Sequence, residues 1–367
     1  MRNLYQKVNK YVPLGAILIF VLTAFSALIY LLCAIFERFA DFVNSITFPV
    51  RAILSIVTSI IPISIVELVL ITMPIWATVL IVFAVKNAKK GKIATIRYLC
   101  IIISIICVYF ISFVWTFASG YHTTPIERKL NINREGIKAE ELYDALELLT
   151  NEINLLTPRI EYDESGASVM PYSYKEMSKR VSSAYKKMAD ETGLLKTFKS
   201  RAKPILFSDI MAYTHISGVY TCITGEANIN VAYADYIVAS TSAHEMAHQR
   251  GIAREDEASF VGFLALSHSD DAFLKYSAYL DVYYYLLSDL LSSSPELARD
   301  VYAKLSPLAK ADRNACIKKF EKYQDSLASK VSDKVNDSYL QANGDKDGTQ
   351  SYNLVSELVC SYLVREW

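Results

Sequence analysis

The sequence predicts a membrane-anchored, mainly α-helical protein: three N-terminal transmembrane helices, then a helix-rich α+β domain outside the cytoplasm. Three observations predict this class. The long apolar runs all lie before about residue 120, although 52% of the 367 residues are hydrophobic. Basic residues gather ahead of the first run and between the second and third. Beyond the runs, helical periodicity dominates and breaks once, into a short β-rich stretch directly ahead of an HExxH motif.

Crossing a bilayer takes about 20 apolar residues. Tyr11 to Phe36, Pro62 to Val85 and Ala94 to Ala118 meet that length. The first run exceeds a signal-peptide core and lacks a small-residue cleavage site, so it reads as a retained anchor. Asp41 to Ile61, with Pro49 and Arg51, reads as an interfacial helix or a re-entrant piece. Arg2, Lys7 and Lys10 precede the first span, and Lys86, Lys89, Lys90 and Lys92 join the last two. Cytoplasmic loops carry excess Lys and Arg, so the N-terminus is expected inside and the chain after the third span outside. Glu67 then lies near the outer end of the second span, within reach of water. The expected division is a membrane domain, 1–119, and an extracytoplasmic domain, 120–367.

In the outer domain, Glu140 to Leu156 repeats apolar residues at i, i+3 and i+4, and Tyr174 to Thr192 continues the helical pattern. Pro204 to Tyr213 interrupts it. Ser217 to Ile223 and Asn228 to Tyr233 read as short strands around a Thr224-Gly225-Glu226 turn. After Gly251, helices are expected over Glu255–Leu266, Asp271–Ser292, Pro295–Lys304, Ala311–Leu327, Ala328–Ala342 and Ser351–Val364, with a loop at Asn343–Gly348. Cys222, Cys316 and Cys360 allow one disulfide of underivable pairing. A net charge of zero and the lack of a basic, aromatic-laced stripe give no sign of nucleic-acid binding.

His244-Glu245-Met246-Ala247-His248 carries the chemistry. Residues i and i+4 share one helix face, so both imidazoles can reach one metal ion, Zn2+ by donor type. Glu245 is then the expected catalytic residue, a general base on zinc-bound water. The bland alternative is a capping box, Ser242-Ala243-His244-Glu245, at a helix start. A catalytic zinc site needs a third protein ligand. Glu255 is preferred, with Glu257 as the alternate, and both could instead be acids favouring a helix N-terminus. Ser259, one turn after Glu255, could support a histidine. Glu226, Tyr213 and His215 are possible cleft residues, with an ordinary surface role the commoner outcome for each.

Ser217-Gly218-Val219-Tyr220, Thr224 to Asn228, His244 to Gly251 and Glu255 to Ala258 resemble a bacterial membrane-anchored family, the domain of unknown function numbered thirty-eight ten. The resemblance implies a zincin-like metallopeptidase domain on a multi-pass cell-membrane anchor. Its partners would be the lipid bilayer and a peptide or protein substrate. A non-catalytic sensor or binding protein with a degenerate HExxH site is the competing expectation.

Overall fold

A computed structural model describes residues 9–324, 326–343 and 354–366. Arg2, Lys7 and most of the expected Asn343–Gly348 loop fall outside them. The first apolar run forms α1, Leu14–Ile35. It is followed at once by α2, Glu37–Thr58. The second run is a bent pair, α3 (Ile65–Ile71) and α4 (Met73–Lys90), and the third is α5, Lys92–Thr116. α1, α2 and α5 are each long and apolar enough to cross a membrane.

This corrects two expectations. The run expected at 62–85 bends by 57° between α3 and α4 and continues to Lys90. Pro74, in the first turn of α4, has no N–H to continue the ladder from α3. The segment expected as a short interfacial helix or a re-entrant piece is a helix, but a continuous one of 22 residues.

The polar face of α2 explains where it lies. Asp41 accepts hydrogen bonds from the Thr124 N–H and hydroxyl, at 3.1 and 2.6 Å. Asn44 donates to the Gly251 carbonyl at 3.2 Å, and Ser55 to the Gly225 carbonyl at 2.7 Å. α2 therefore runs along the underside of the following domain, tied at both ends and the middle. Its other face exposes Phe42, Ile46, Val50 and Ile53. α3 is tied down too: Glu67 accepts the N–H groups of Leu206 and Phe207 at 2.9 and 2.8 Å. At the far end of the bundle, Arg97 donates to the Asn9 carbonyl at 2.6 Å. The N-terminal segment and the lysine-rich connection thus share one end, opposite the HExxH domain.

A 3-10 turn, Ala118–His122, leads into the domain. There α6 (Ile126–Leu130), α7 (Ala139–Leu156), α8 (Tyr174–Thr192) and α9 (Ser208–Ala212) precede the motif helix α10, Asp235–Gln249. α11 (Glu255–Ser267), α12 (Ala272–Ser293), α13 (Pro295–Lys304), α14 (Pro307–Phe320), α15 (Leu327–Ala342) and α16 (Val355–Glu366) follow. One core joins α7, α8, α10, α11, α12 and α16. α10 and α11 are buried nearly all round, polar side chains included, so neither carries a one-sided apolar stripe. Asp271 caps α12 by accepting the Leu274 N–H at 3.0 Å.

The strands β1 (Glu161–Tyr162) and β2 (Ser168–Val169) pair as a hairpin. β3 (Ala202–Pro204), β4 (Gly218–Thr221) and β5 (Glu226–Ile229) form a sheet of order β3-β5-β4. β4 is the first expected strand, shortened, whereas β5 overlaps the second only at Asn228 and Ile229 and begins earlier, taking Glu226 out of the expected turn and into the strand. The stretch after Ile229 leaves the sheet because the Asn230 side chain accepts the Ala232 N–H and turns the chain. β3, β1 and β2 are too short for alternation to reveal. The six cysteines form no disulfide.

Candidate metal centre

α10 starts seven residues before Ser242, whose hydroxyl donates back to the Val238 carbonyl at 2.7 Å. The capping-box alternative therefore fails. One face of α10 carries His244 and His248. After Gly251, at φ +93°, the chain reverses and α11 packs back on α10. A glycine serves there because that φ is costly for any residue with a Cβ. Gly262 keeps the two helices close: a Cβ on it would lie 3.0 Å from the His244 backbone nitrogen.

This reversal brings His244, His248 and Glu255 together, with one ligand atom of each within 4.8 Å of the others. His244 Nε2 and His248 Nε2 lie 3.0 and 3.3 Å from Glu255 Oε2. Their other ring nitrogens are engaged from behind. His244 Nδ1 meets Ser259 Oγ at 3.0 Å, and His248 Nδ1 meets the Ile252 carbonyl at 2.7 Å. Such outer partners orient ligating imidazoles and set their tautomers. Two imidazole nitrogens and one carboxylate oxygen facing a common point are a donor set suited to a zinc-like cation.

Burial and charge tune these groups. Burial disfavours the charged form of Glu255, but His248 and His244 outweigh it and hold the carboxyl well below its usual range. Burial also works against a charged His248, and Glu255 overcomes it and raises the imidazole pKa. His244 is lowered, mainly by burial. Burial pushes Glu245 up to about 8. Its Oε2 is buried with no hydrogen-bond partner, a costly state for a carboxyl in the protein interior. Gly218 of β4 packs against it: a Cβ there would come 2.5 Å from Glu245 Oε1.

The other expected residues lie elsewhere. Glu257 points away, accepting the Ile126 N–H at 3.0 Å and pairing with Arg254 at 2.5 Å. Glu226 is buried in an ion pair with Lys203 and accepts the Ile65 N–H at 3.0 Å, so it joins the sheet to the chain before α3. Tyr213 stacks edge-on with Tyr323. His215 contacts the Tyr323 carbonyl at 3.0 Å and packs on Phe320. None of these four joins the cluster.

Sequence reasoning missed an aromatic wall. Phe117, just past α5, lies 5.4 Å from the His248 ring, and Tyr220 of β4 lies 6.2 Å from it. Tyr121 packs on Phe117, and Tyr339 of α15 on Tyr121. Arg51 of α2 is buried beside Gly251, donating to Thr47 Oγ1 and the Asn44 carbonyl, each at 2.8 Å. Only the Phe117–Tyr121 spacing, one helical turn, was visible in advance. A groove of about 1420 Å³ between α8, residues 195–199 and the start of α12 contains none of the cluster.

A family model described as a protein of unknown function (DUF3810) matches residues 42–360. No curated protein and no solved structure matches the chain.

Proposed function

Because the chain belongs to this family of unknown function, the functional reading rests on the site, and we propose a zincin-like, membrane-anchored, zinc-dependent metallopeptidase. It hydrolyses peptide bonds outside the cytoplasm. The observation that carries the reading is the convergence of His244, His248 and Glu255 beside a buried, unpartnered Glu245 carboxylate.

Zinc held by those three residues would supply Lewis acidity, polarising a carbonyl and making water acidic near pH 7. The chain's own groups supply the rest. Glu245 takes the proton from the attacking water and passes it to the leaving amine. Ser259 and the Ile252 carbonyl hold the two imidazoles in one orientation. β4 pairs only with β5 among the described residues, so an extended peptide can add along its other edge, next to Glu245. Lys10 and the lysine-rich connection, both at the far end of the bundle, support a cytoplasmic N-terminus and an outer site.

The test uses the full chain in detergent. About one zinc per chain is expected, and little in a folded His248→Ala variant. Equal zinc in both, or none in either, rejects the metal centre. Glu245→Gln should keep zinc and lose hydrolysis. A Glu245→Gln protein that keeps its cellular activity would point to a ligand-binding role instead.

A further inference from the structure

We propose that α15 and the Leu206–Ile210 segment form a second lipid-contacting surface, which holds the HExxH domain against the bilayer so that its site opens at the water–lipid boundary. The inference goes beyond the peptidase reading and does not depend on it.

α15 is nearly uncovered. Among its residues only Ser329 and Leu340 are buried, and its outward face carries Leu327, Val331 and Val335, four residues apart. Leu327 is 82% exposed and both valines 63%. Water is a poor environment for such a stripe: a helix this short, packed only near its ends, gains little from the rest of the chain. Lys330 and Lys334 flank the stripe on one shoulder, where their stems can lie along lipid and their ammonium groups reach headgroups.

The stripe is linked to the membrane helices at both ends, directly at one and through α9 at the other. At its C-terminal end, Tyr339 packs 6.1 Å from Phe113 of α5. At its N-terminal end, the Ser326 hydroxyl donates to the Tyr213 carbonyl, which joins α15 to α9. Leu206 and Phe207 just ahead of α9, and Ile210 within it, are exposed, and the Leu206 and Phe207 N–H groups are bound to Glu67 of α3. An exposed apolar band therefore leaves the bundle at α3, crosses the domain surface and returns at α5. Both ends of the band are joined to helices already apolar on their outer faces, which argues for lipid rather than a protein partner as the covering surface. Tyr339 is also in ring contact with Tyr121 of the wall beside His248. The same helix that meets lipid therefore borders the site.

Trp-scanning fluorescence of the full chain in liposomes tests this. Val331→Trp, Val335→Trp and Ile210→Trp are compared with the parent, and Leu155→Trp serves as an exposed position on α7, away from the band. Emission gained at 331, 335 and 210 should be lost with brominated phosphatidylcholine and kept with aqueous iodide. Leu155→Trp should behave oppositely. Iodide quenching at the band positions overturns the proposal. Shielding from both quenchers overturns it as well, because a protein surface then covers the stripe. The readout involves neither metal nor turnover, so failure of the peptidase reading leaves it intact.

Discussion

Ser259 separates orientation from ligation at the scale of single residues. It touches His244 Nδ1 and not the converging ligand atoms. Ser259→Ala should therefore weaken metal binding by roughly 10- to 100-fold without abolishing it. Competition with a chelator of known affinity measures this, and an unchanged affinity would show that Ser259 does not orient the ring. Glu257→Gln is the contrasting case. Its carboxylate serves Ile126 and Arg254, so metal content should hold while the melting temperature falls, with about 1–3 kcal/mol lost. The motif pair was legible in the sequence because one helix suffices to align it, and the glycine turn narrowed the third ligand to the acids that open the next helix. Glu226 was misread because its true partner, Lys203, lies on a strand too short to be recognised.

Two glycines mark where elements meet at the site. A Cβ on Gly218 would stand 2.5 Å from Glu245 Oε1 and 2.6 Å from Thr241 Cγ2. Gly218→Ala should thus displace the Glu245 carboxylate and lower hydrolysis at unchanged zinc content. Equal turnover would show that β4 can retreat without disturbing the base. A Cβ on Gly120 would meet the Gly251 carbonyl at 2.7 Å and the Ala253 side chain at 2.9 Å. Backbone cannot yield as a flexible side chain does. Gly120→Ala should cost about 1–3 kcal/mol, read as a lower melting temperature, and loosen the turn between His248 and Glu255. The long helices were visible beforehand because their periodicity persists over many turns. The bend near Thr72 was not, since the apolar run continues through it.

Across the whole molecule, the anchor and the site domain are one assembly. α2 touches the domain at Thr124, Gly251 and Gly225, two of them glycines in the turns that shape the site. A fragment starting at residue 120 would lose these contacts and expose their partners. Its melting temperature should fall well below that of a fragment starting at residue 37, with weaker zinc binding. Equal stability of the two would show that α2 is only an anchor. Taken together with the proposed peptidase, the band of lipid-facing residues predicts a preference for tethered substrate. A peptide linked to the liposome surface should be cleaved faster than the same peptide free in solution, and equal rates would count against it.

By itself, the sequence determined the apolar helices, the helical character of the HExxH domain and the His244–Glu245–His248 face. Each depends on contacts within a few residues, which composition and spacing record directly. Only the tertiary structure decided that Glu255 rather than Glu257 faces the two histidines, that α2 lies against the domain, and that Phe117, Tyr220 and Tyr339 wall the site. Those outcomes depend on groups tens to hundreds of residues apart, or on which side of a single helical turn faces inward. Packing of the whole chain settles both, and local pattern carries neither.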